Sequence, residues 1–354
     1  MSTETLQNAR RQIEICNACR YCEGYCSVFP AITRQTAFAD GDITQLANLC
    51  HNCRGCYYAC QYTEPHEFAI NLPQILAEVR TDSWKEFAWP RGFARAYDRH
   101  GVAIAGLLIL CVMALIFLAG SLQNVGSGAG FYAYMSHVVM VAIFAPAFVL
   151  PLFTAGISIR RYWTHVGGGR IALKDLRKAL QDVATMRDLS GGQEQGCNFE
   201  DEDRFSNARR VAHQFVLWGF LLCFAATSSG TLLHYVFDLH APYGFFSLPK
   251  LLGVPGGLML SAGTAWMIRL KLSADGALAD ARVRGGDMAF VVLLFAVSTS
   301  GLLLYAATGT ALVPLLLTFH LATVLTLFLT LPYSKFVHGF YRLAAMIKNA
   351  KAAK

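Results

Sequence analysis

Residues 16–26 read Cys16-Asn17-Ala18-Cys19-Arg20-Tyr21-Cys22-Glu23-Gly24-Tyr25-Cys26, and residues 50–60 read Cys50-His51-Asn52-Cys53-Arg54-Gly55-Cys56-Tyr57-Tyr58-Ala59-Cys60. Both follow C-x2-C-x2-C-x3-C, and together they hold eight of the eleven cysteines. Three cysteines at this interval can each ligate a different iron on one face of an iron-sulfur cube, and the fourth is placed to reach a second cube. With that crossover, Cys16, Cys19, Cys22 and Cys60 hold one [4Fe-4S] cluster, and Cys50, Cys53, Cys56 and Cys26 hold the other. Disulfides do not persist in a reducing cytoplasm. Zinc pairs two C-x2-C knuckles, which leaves a third cysteine at the same interval unexplained. Proline usually follows the fourth cysteine directly, whereas Pro30 and Pro65 come four and five residues later. The unit expected over residues 1–83 is therefore a helical two-cluster ferredoxin-like domain, distinct from a standard small ferredoxin. Cys111, Cys197 and Cys223 lie outside the pattern and read as structural, two of them in apolar runs where cysteine acts as a small hydrophobe.

Beyond residue 100 the character of the chain changes. Over all 354 residues, 55% are hydrophobic and only 15% charged, against about 25% charged in soluble domains. Six apolar stretches, 102–120, 131–159, 214–237, 251–268, 288–308 and 311–333, contain no Asp, Glu, Lys or Arg. Each can cross a hydrocarbon core of about 30 Å. The expected fold is all-α, a ferredoxin-like head followed by a six-helix transmembrane bundle over 101–340 and a cytoplasmic tail over 341–354. Of the 30 basic residues, all but Lys250 fall in the head, in loops 160–212 and 269–287, or after Tyr333. The positive-inside rule places that side in the cytoplasm, as expected for a multi-pass protein of a bacterial inner membrane with both termini inside. This topology accounts for the net charge of +7 and leaves no call for nucleic-acid binding. No apolar h-region precedes residue 102, so no cleavable signal peptide is expected.

Between head and bundle, residues 84–100 interleave aromatics with cations, which suits an interfacial linker in the headgroup zone. In loop 160–212, Leu173, Leu176, Leu180 and Val183 recur at helical spacing, which predicts a short amphipathic helix on the membrane or under the head. Glycines at 167–169 and 191–192 bracket it, and Glu200-Asp201-Glu202-Asp203 reads as a solvated turn. Gly253, Gly257, Ser261 and Ala265 form an i+4 stripe suited to close helix packing.

No C-x-x-C-H motif is present, which excludes covalent haem. A b-type haem needs two histidines on packed helices. His320 and His338 are 18 residues apart, five turns or about 27 Å on one continuous helix. His213 and His234 are 21 residues apart, about 31 Å with faces offset by about 60°. Antiparallel neighbours would oppose His213 to His338 near the cytoplasm and His234 to His320 toward the outside, with His137 an alternative to His234. His320 lies deepest, where an ionisable residue is a functional candidate. A quinone site at Lys335, His338 and Arg342 is one reading of the inner end of the last span; interfacial anchoring is the other.

The run 49–60, followed by Pro65-His66-Glu67-Phe68, resembles the tricarballylate/citrate utilisation protein B family. The resemblance continues through Trp218-Gly219-Phe220, Ala241-Pro242-Tyr243 and Ser247-Leu248-Pro249. The segment from His320 through Leu331-Pro332-Tyr333-Ser334-Lys335 to His338 is similar to the final helix of nitrate-reductase gamma-type cytochrome b subunits, which implies haem ligation by His320 and His338. The family implies electron transfer from a separate FAD-dependent tricarballylate dehydrogenase, through the clusters and one or two b haems, to the quinone pool. No G-x-G-x-x-G opens a strand-helix unit here, so the flavin belongs to another chain. A heterodisulfide-reductase-like thiol reductase would need adjacent cysteines, and none occur. A transporter would show intramembrane carboxylates or broken repeat helices; the six stretches lack the former. A redox-sensing regulator would not need six spans.

Overall fold

A computed structural model describes residues 2–122, 134–192, 194–199 and 204–352. The start expected for the second span at 131, the acidic turn at 200–203 and the last residues of the tail lie outside the described residues.

The head is built from α1 (Thr3–Cys19), α2 (Val28–Thr33), α3 (Asp40–Leu49), α4 (Gly55–Tyr58) and α5 (Leu72–Phe87). Ser2 caps α1 by accepting from the Thr5 N–H, and Arg20, in the left-handed region at φ 58°, ends it by donating its N–H to the Cys16 carbonyl. The helix thus stops one residue after Cys19, and the chain turns back to bring Cys22 beside it. In α3 every residue from Ile43 to Leu49 is buried. Its polar side chains are satisfied inside the head: Asn48 donates to Thr44 O and Ser83 Oγ and accepts from Trp84 Nε1 at 2.9 Å.

Among the described residues, six helices are long and apolar enough to cross a membrane, making this a multi-pass membrane protein. They are α6 (Arg91–Leu122), α7 (His137–His165), α9 (Ala208–Val236), α10 (Leu248–Ser273), α11 (Arg284–Ala306) and α12 (Val313–Thr330). The first begins eleven residues before the expected span. Residues 84–100 are helical on both sides of Trp89-Pro90, with His100 marking a kink (φ −132°, ψ 25°). Phe93 in this stretch is 64% exposed.

Two further helices lie on the head side of the bundle, α8 (Leu173–Thr185) and α13 (His338–Ala352). Both enter the head's core: Ala179 of α8 and Ala345, Met346 and Ile347 of α13 are buried with Ile13, Ile43 and Leu46. Of the four residues that predicted α8, Leu176 and Val183 pack on that core, while Leu173 and Leu180 remain exposed. Residues 341–352, expected as a tail, are thus a docked helix. Lys348 pairs with Asp42 at 3.3 Å, and Gln45 Nε2 donates to Ala345 O. At the foot of α7, an added Cβ on Gly41 would lie 2.5 Å from the His165 carbonyl oxygen, so α3 and the second span touch backbone to backbone.

The sixth span does not run on to His338. Pro332 has no N–H to continue the ladder. Tyr333 and Ser334 instead bond back to Thr330 O, and Ser334 Oγ accepts from the Phe336 N–H. His320 and His338 therefore ride on different helices, and the five-turn alignment expected for one continuous helix is replaced by a corner.

Candidate metal centres

Cys16, Cys19, Cys22 and Cys60 line a cavity of about 210 Å³, closed by Ile15, Phe29 and Leu72 and with no charged side chain in its wall. Cys19 is exposed, and Tyr21 at the rim is 68% exposed, so this cavity opens to solvent. Burial, followed by the neighbouring Cys60, pushes the Cys16 and Cys22 thiols up to about 12. Tyr62 donates its N–H to Cys60 Sγ at 3.4 Å.

In the second set none of the four cysteines is exposed, and Cys56 also reaches the wall of the first cavity. Burial raises the Cys26 and Cys56 thiols, with Cys53 the next cause in each case and Cys50 a further one. After α3, Asn52 and Arg54 adopt left-handed conformations (φ 52° and 69°). These fold the loop back on itself, and the Asn52 N–H donates to Cys50 Sγ at 3.4 Å. Thiols this hard to ionise alone become thiolates when a metal supplies positive charge. N–H donors to sulfur are a recurrent feature of iron-sulfur sites. Both sets fit a cube bound by four cysteines. Among the described residues, no group of three or more His, Cys, Asp or Glu could hold a single metal ion.

Three segments cover the second set. Asn198 N–H donates to Cys53 O at 2.9 Å, and Ser27 Oγ donates to Asp188 of the same long loop. Asn52 Nδ2 donates to Leu278 O, from the loop between α10 and α11. From α13, Arg342 Nη2 donates to Cys50 O at 2.8 Å. Arg80 Nη1 donates to the same carbonyl at 2.7 Å, and Arg209 Nη1 donates to Asn52 O at 2.7 Å. Arg54 and Arg209 both lie over the Phe199 ring, at 4.6 and 4.1 Å. Burial and repulsion from Arg80 and Arg209 push the Arg342 guanidinium down to about 9; burial and Arg209 push Arg54 down to about 10. Cys197, read as structural, is buried and hydrogen-bonded to Cys53. No periodicity in the long loop signals that contact.

The structure brings His213 and His338 together, with ring centroids 5.9 Å apart and planes at 71°. Two imidazoles that bind one metal at about 2.0–2.1 Å stand with centroids about 6 Å apart. The His338 Nδ1 is bonded to Lys335 O at 2.5 Å, which leaves Nε2 free to ligate. The His213 Nδ1 is buried without a partner. This pair fits the axial ligands of a b-type haem. His234 is not brought to His320. It stacks on His137 at 4.1 Å and meets His240 at 4.3 Å, separations too short for an iron between the rings. The His320 ring lies against α11, with Nδ1 3.0 Å from Ser300 Oγ and Gly301 leaving room beside it. At the inner end of the last span, Lys335 is paired with Asp287, and Arg342 is committed to the cysteine loop.

Residues 9–86 match the family model described as citrate utilization protein B Fer4-like domain, and residues 93–354 match that described as citrate utilization protein B. A curated relative of the latter name from Escherichia coli is 40% identical over 352 residues, covering 98% of this chain and 93% of the relative. No solved structure matches the chain.

Proposed function

From its membership in the citrate utilization protein B family, we propose that the chain serves citrate or tricarballylate utilisation by reoxidising a cytoplasmic FAD-dependent dehydrogenase. The electrons pass through two [4Fe-4S] clusters and haem b to the quinone pool of a bacterial inner membrane. The observation that carries this reading is the polarity of the head: one four-cysteine set opens to solvent at Cys19, and the other, with no exposed cysteine, has its loop bonded by Arg209 and Arg342, each one turn from His213 or His338.

Cys16, Cys19, Cys22 and Cys60 would hold the entry cluster; Cys26, Cys50, Cys53 and Cys56 would hold the inner one, and His213 and His338 the haem. Bound there, these groups supply one-electron transfer. The chain's own part is positional. The hydrophobic wall around the first set excludes charge, while the rim at Cys19 and Tyr21 leaves it accessible to a partner's flavin. The long loop and α13 hold the second set against the bundle. His338 has Nδ1 fixed by Lys335 O, which leaves Nε2 as the atom available to ligate.

The test uses the purified full chain. It should contain about eight irons and eight sulfides, as two four-iron clusters require, and a reduced-minus-oxidised α-band of the b type. Membranes containing the chain should reoxidise the substrate-reduced dehydrogenase in a quinone-dependent way. Zinc in place of iron and sulfide would overturn the cluster assignment. Iron and sulfide with no α-band would leave the clusters to reduce quinone directly.

A further inference from the structure

Charge is divided unevenly between the two cysteine sets. The wall around Cys16, Cys19, Cys22 and Cys60 carries none. The Cys50–Asn52 loop receives Arg80 and Arg342 on one carbonyl and Arg209 on the next, with Arg54 only 2% exposed beside them. None of these four guanidinium groups belongs to an ion pair among the described residues. The Nε of Arg209 is buried and has no acceptor. Like charges gathered out of water are strongly unfavourable unless an anion joins them. Asp275, Asp280 and Asp188 act on Arg54, Arg80 and Arg342 from beyond ion-pair distance, and the atoms that the guanidinium groups bond are carbonyl and amide oxygens, so the anion that closes this cluster of charge is what the cysteines themselves bind. An iron-sulfur cube on four thiolates is an anion, and reduction makes it one charge more negative. Local charge and hydrogen bonding are among the levers that set cluster potentials.

We propose that Arg80, Arg209 and Arg342, with Arg54, raise the reduction potential of the cluster at Cys26, Cys50, Cys53 and Cys56 above that of the cluster at Cys16, Cys19, Cys22 and Cys60. An electron entering from the solvent side then comes to rest beside His213 and His338. The inference rests on the two-cluster reading above. The arginines are positioning residues: they bond the loop's backbone and act on the cluster through their charge. Each transfer moves one electron from the partner's reduced flavin to a cluster. No bond is made or broken in the head, and the guanidinium groups stabilise the added negative charge. The three arginines that bond the loop come from α5, α9 and α13, so the cradle exists only in the assembled chain.

The experiment is a potentiometric titration of the full-length, cluster-loaded protein followed by EPR. Wild type should show two cluster midpoints separated by at least a tenfold difference in electron occupancy, 59 mV for a one-electron couple. Arg342→Gln and Arg209→Gln should each lower the higher midpoint by about tenfold in occupancy, again about 59 mV, and leave the lower one in place. Arg342→Lys should restore most of the shift, which loss of a purely structural contact would not predict. Two wild-type midpoints at one potential overturn the proposal, whatever becomes of the variants. So do glutamine variants with wild-type iron content that move neither midpoint, both equally, or only the lower one. A wild-type protein without iron, sulfide or an EPR signal would instead sink the cluster reading itself.

Discussion

His213 and His338 come from segments 125 residues apart in the chain, yet their rings face each other at 5.9 Å. His213→Ala or His338→Ala should each abolish or shift the b-type α-band while leaving iron and sulfide content unchanged. His320→Ala should retain the band. It should instead lower thermal stability in detergent, because the bond between His320 Nδ1 and Ser300 Oγ is lost and the hydroxyl keeps only Val297 O, a hydrogen bond worth about 0.5–1.5 kcal/mol. Loss of the band in His320→Ala with its retention in His213→Ala would move the haem to His320. The proximity of His213 and His338 was expected from a continuous sixth span beside α9, whereas it arises because His338 rides on the separate helix α13. The outer pairing was not legible, because spacing along a helix does not say which helices are neighbours. α12 packs against α6, α7 and α11, so His320 meets Ser300 of α11. Cys197 was equally hidden. A lone cysteine in a polar loop has the same sequence signature whether it caps a metal ligand or fills a gap.

The pair α9 and α10 interlocks through glycine. A Cβ on Gly219 would lie 2.5 Å from Leu260 N, one on Gly256 2.8 Å from Leu222 Cβ, and one on Gly263 2.8 Å from Phe215 Cβ. Such close approach is how helices associate where lipid removes the hydrophobic drive. Of the stripe read from the sequence, Gly253, Gly257, Ser261 and Ala265, Gly253 meets Ala226 of α9, but the next two positions turn to α11. Gly257 meets Leu302, and Ser261 bonds Ser298 of α11 at 2.9 Å. The i+4 rule located a packing surface but could not rank two adjacent stripes in a helix that is apolar all round. Because His213 rides on α9, Gly219→Ala should destabilise the bundle by roughly 1–3 kcal/mol, as overpacking does, and weaken the α-band. Gly106→Ala, with open space around it, is the matched control. Equal melting curves for the two variants would remove the interlock from the account. The corner at Pro332 illustrates a different limit. The proline was visible, but an apolar run continuing to Tyr333 masked its breaking effect.

For the molecule as a whole, the spans alternate so that loop 160–212, the loop before α11 and α13 all contact the head. The division of basic residues foresaw this sidedness, and the positive-inside rule assigns that side to the cytoplasm. A reporter fused after Ser190 should therefore read cytoplasmic, and one after Leu239 periplasmic; the reverse would invert the protein and part the clusters from any cytoplasmic dehydrogenase. The boundary at residue 83 was legible only as a change in composition. It did not reveal that the head borrows Ala179, Ala345, Met346 and Ile347 for its core. Residues 1–86 expressed alone should accordingly bind less iron than the full chain. Deletion of residues 341–354 should release cluster iron while the spans still insert, as measured by iron content against membrane yield. A truncated head with a full complement of iron and sulfide would show that α13 is dispensable.

The docked C-terminal helix also sets an order of manufacture. The cysteine loops leave the ribosome well before the helix that closes over them, which follows about 290 residues after Cys50. Translation from Leu49 to Ala345 takes roughly 15–60 s at 5–20 residues per second. Throughout that interval the loop around Cys50 lacks its final cover. A cluster delivered to the loop in that interval would be closed in when Arg342 and Ile347 arrive.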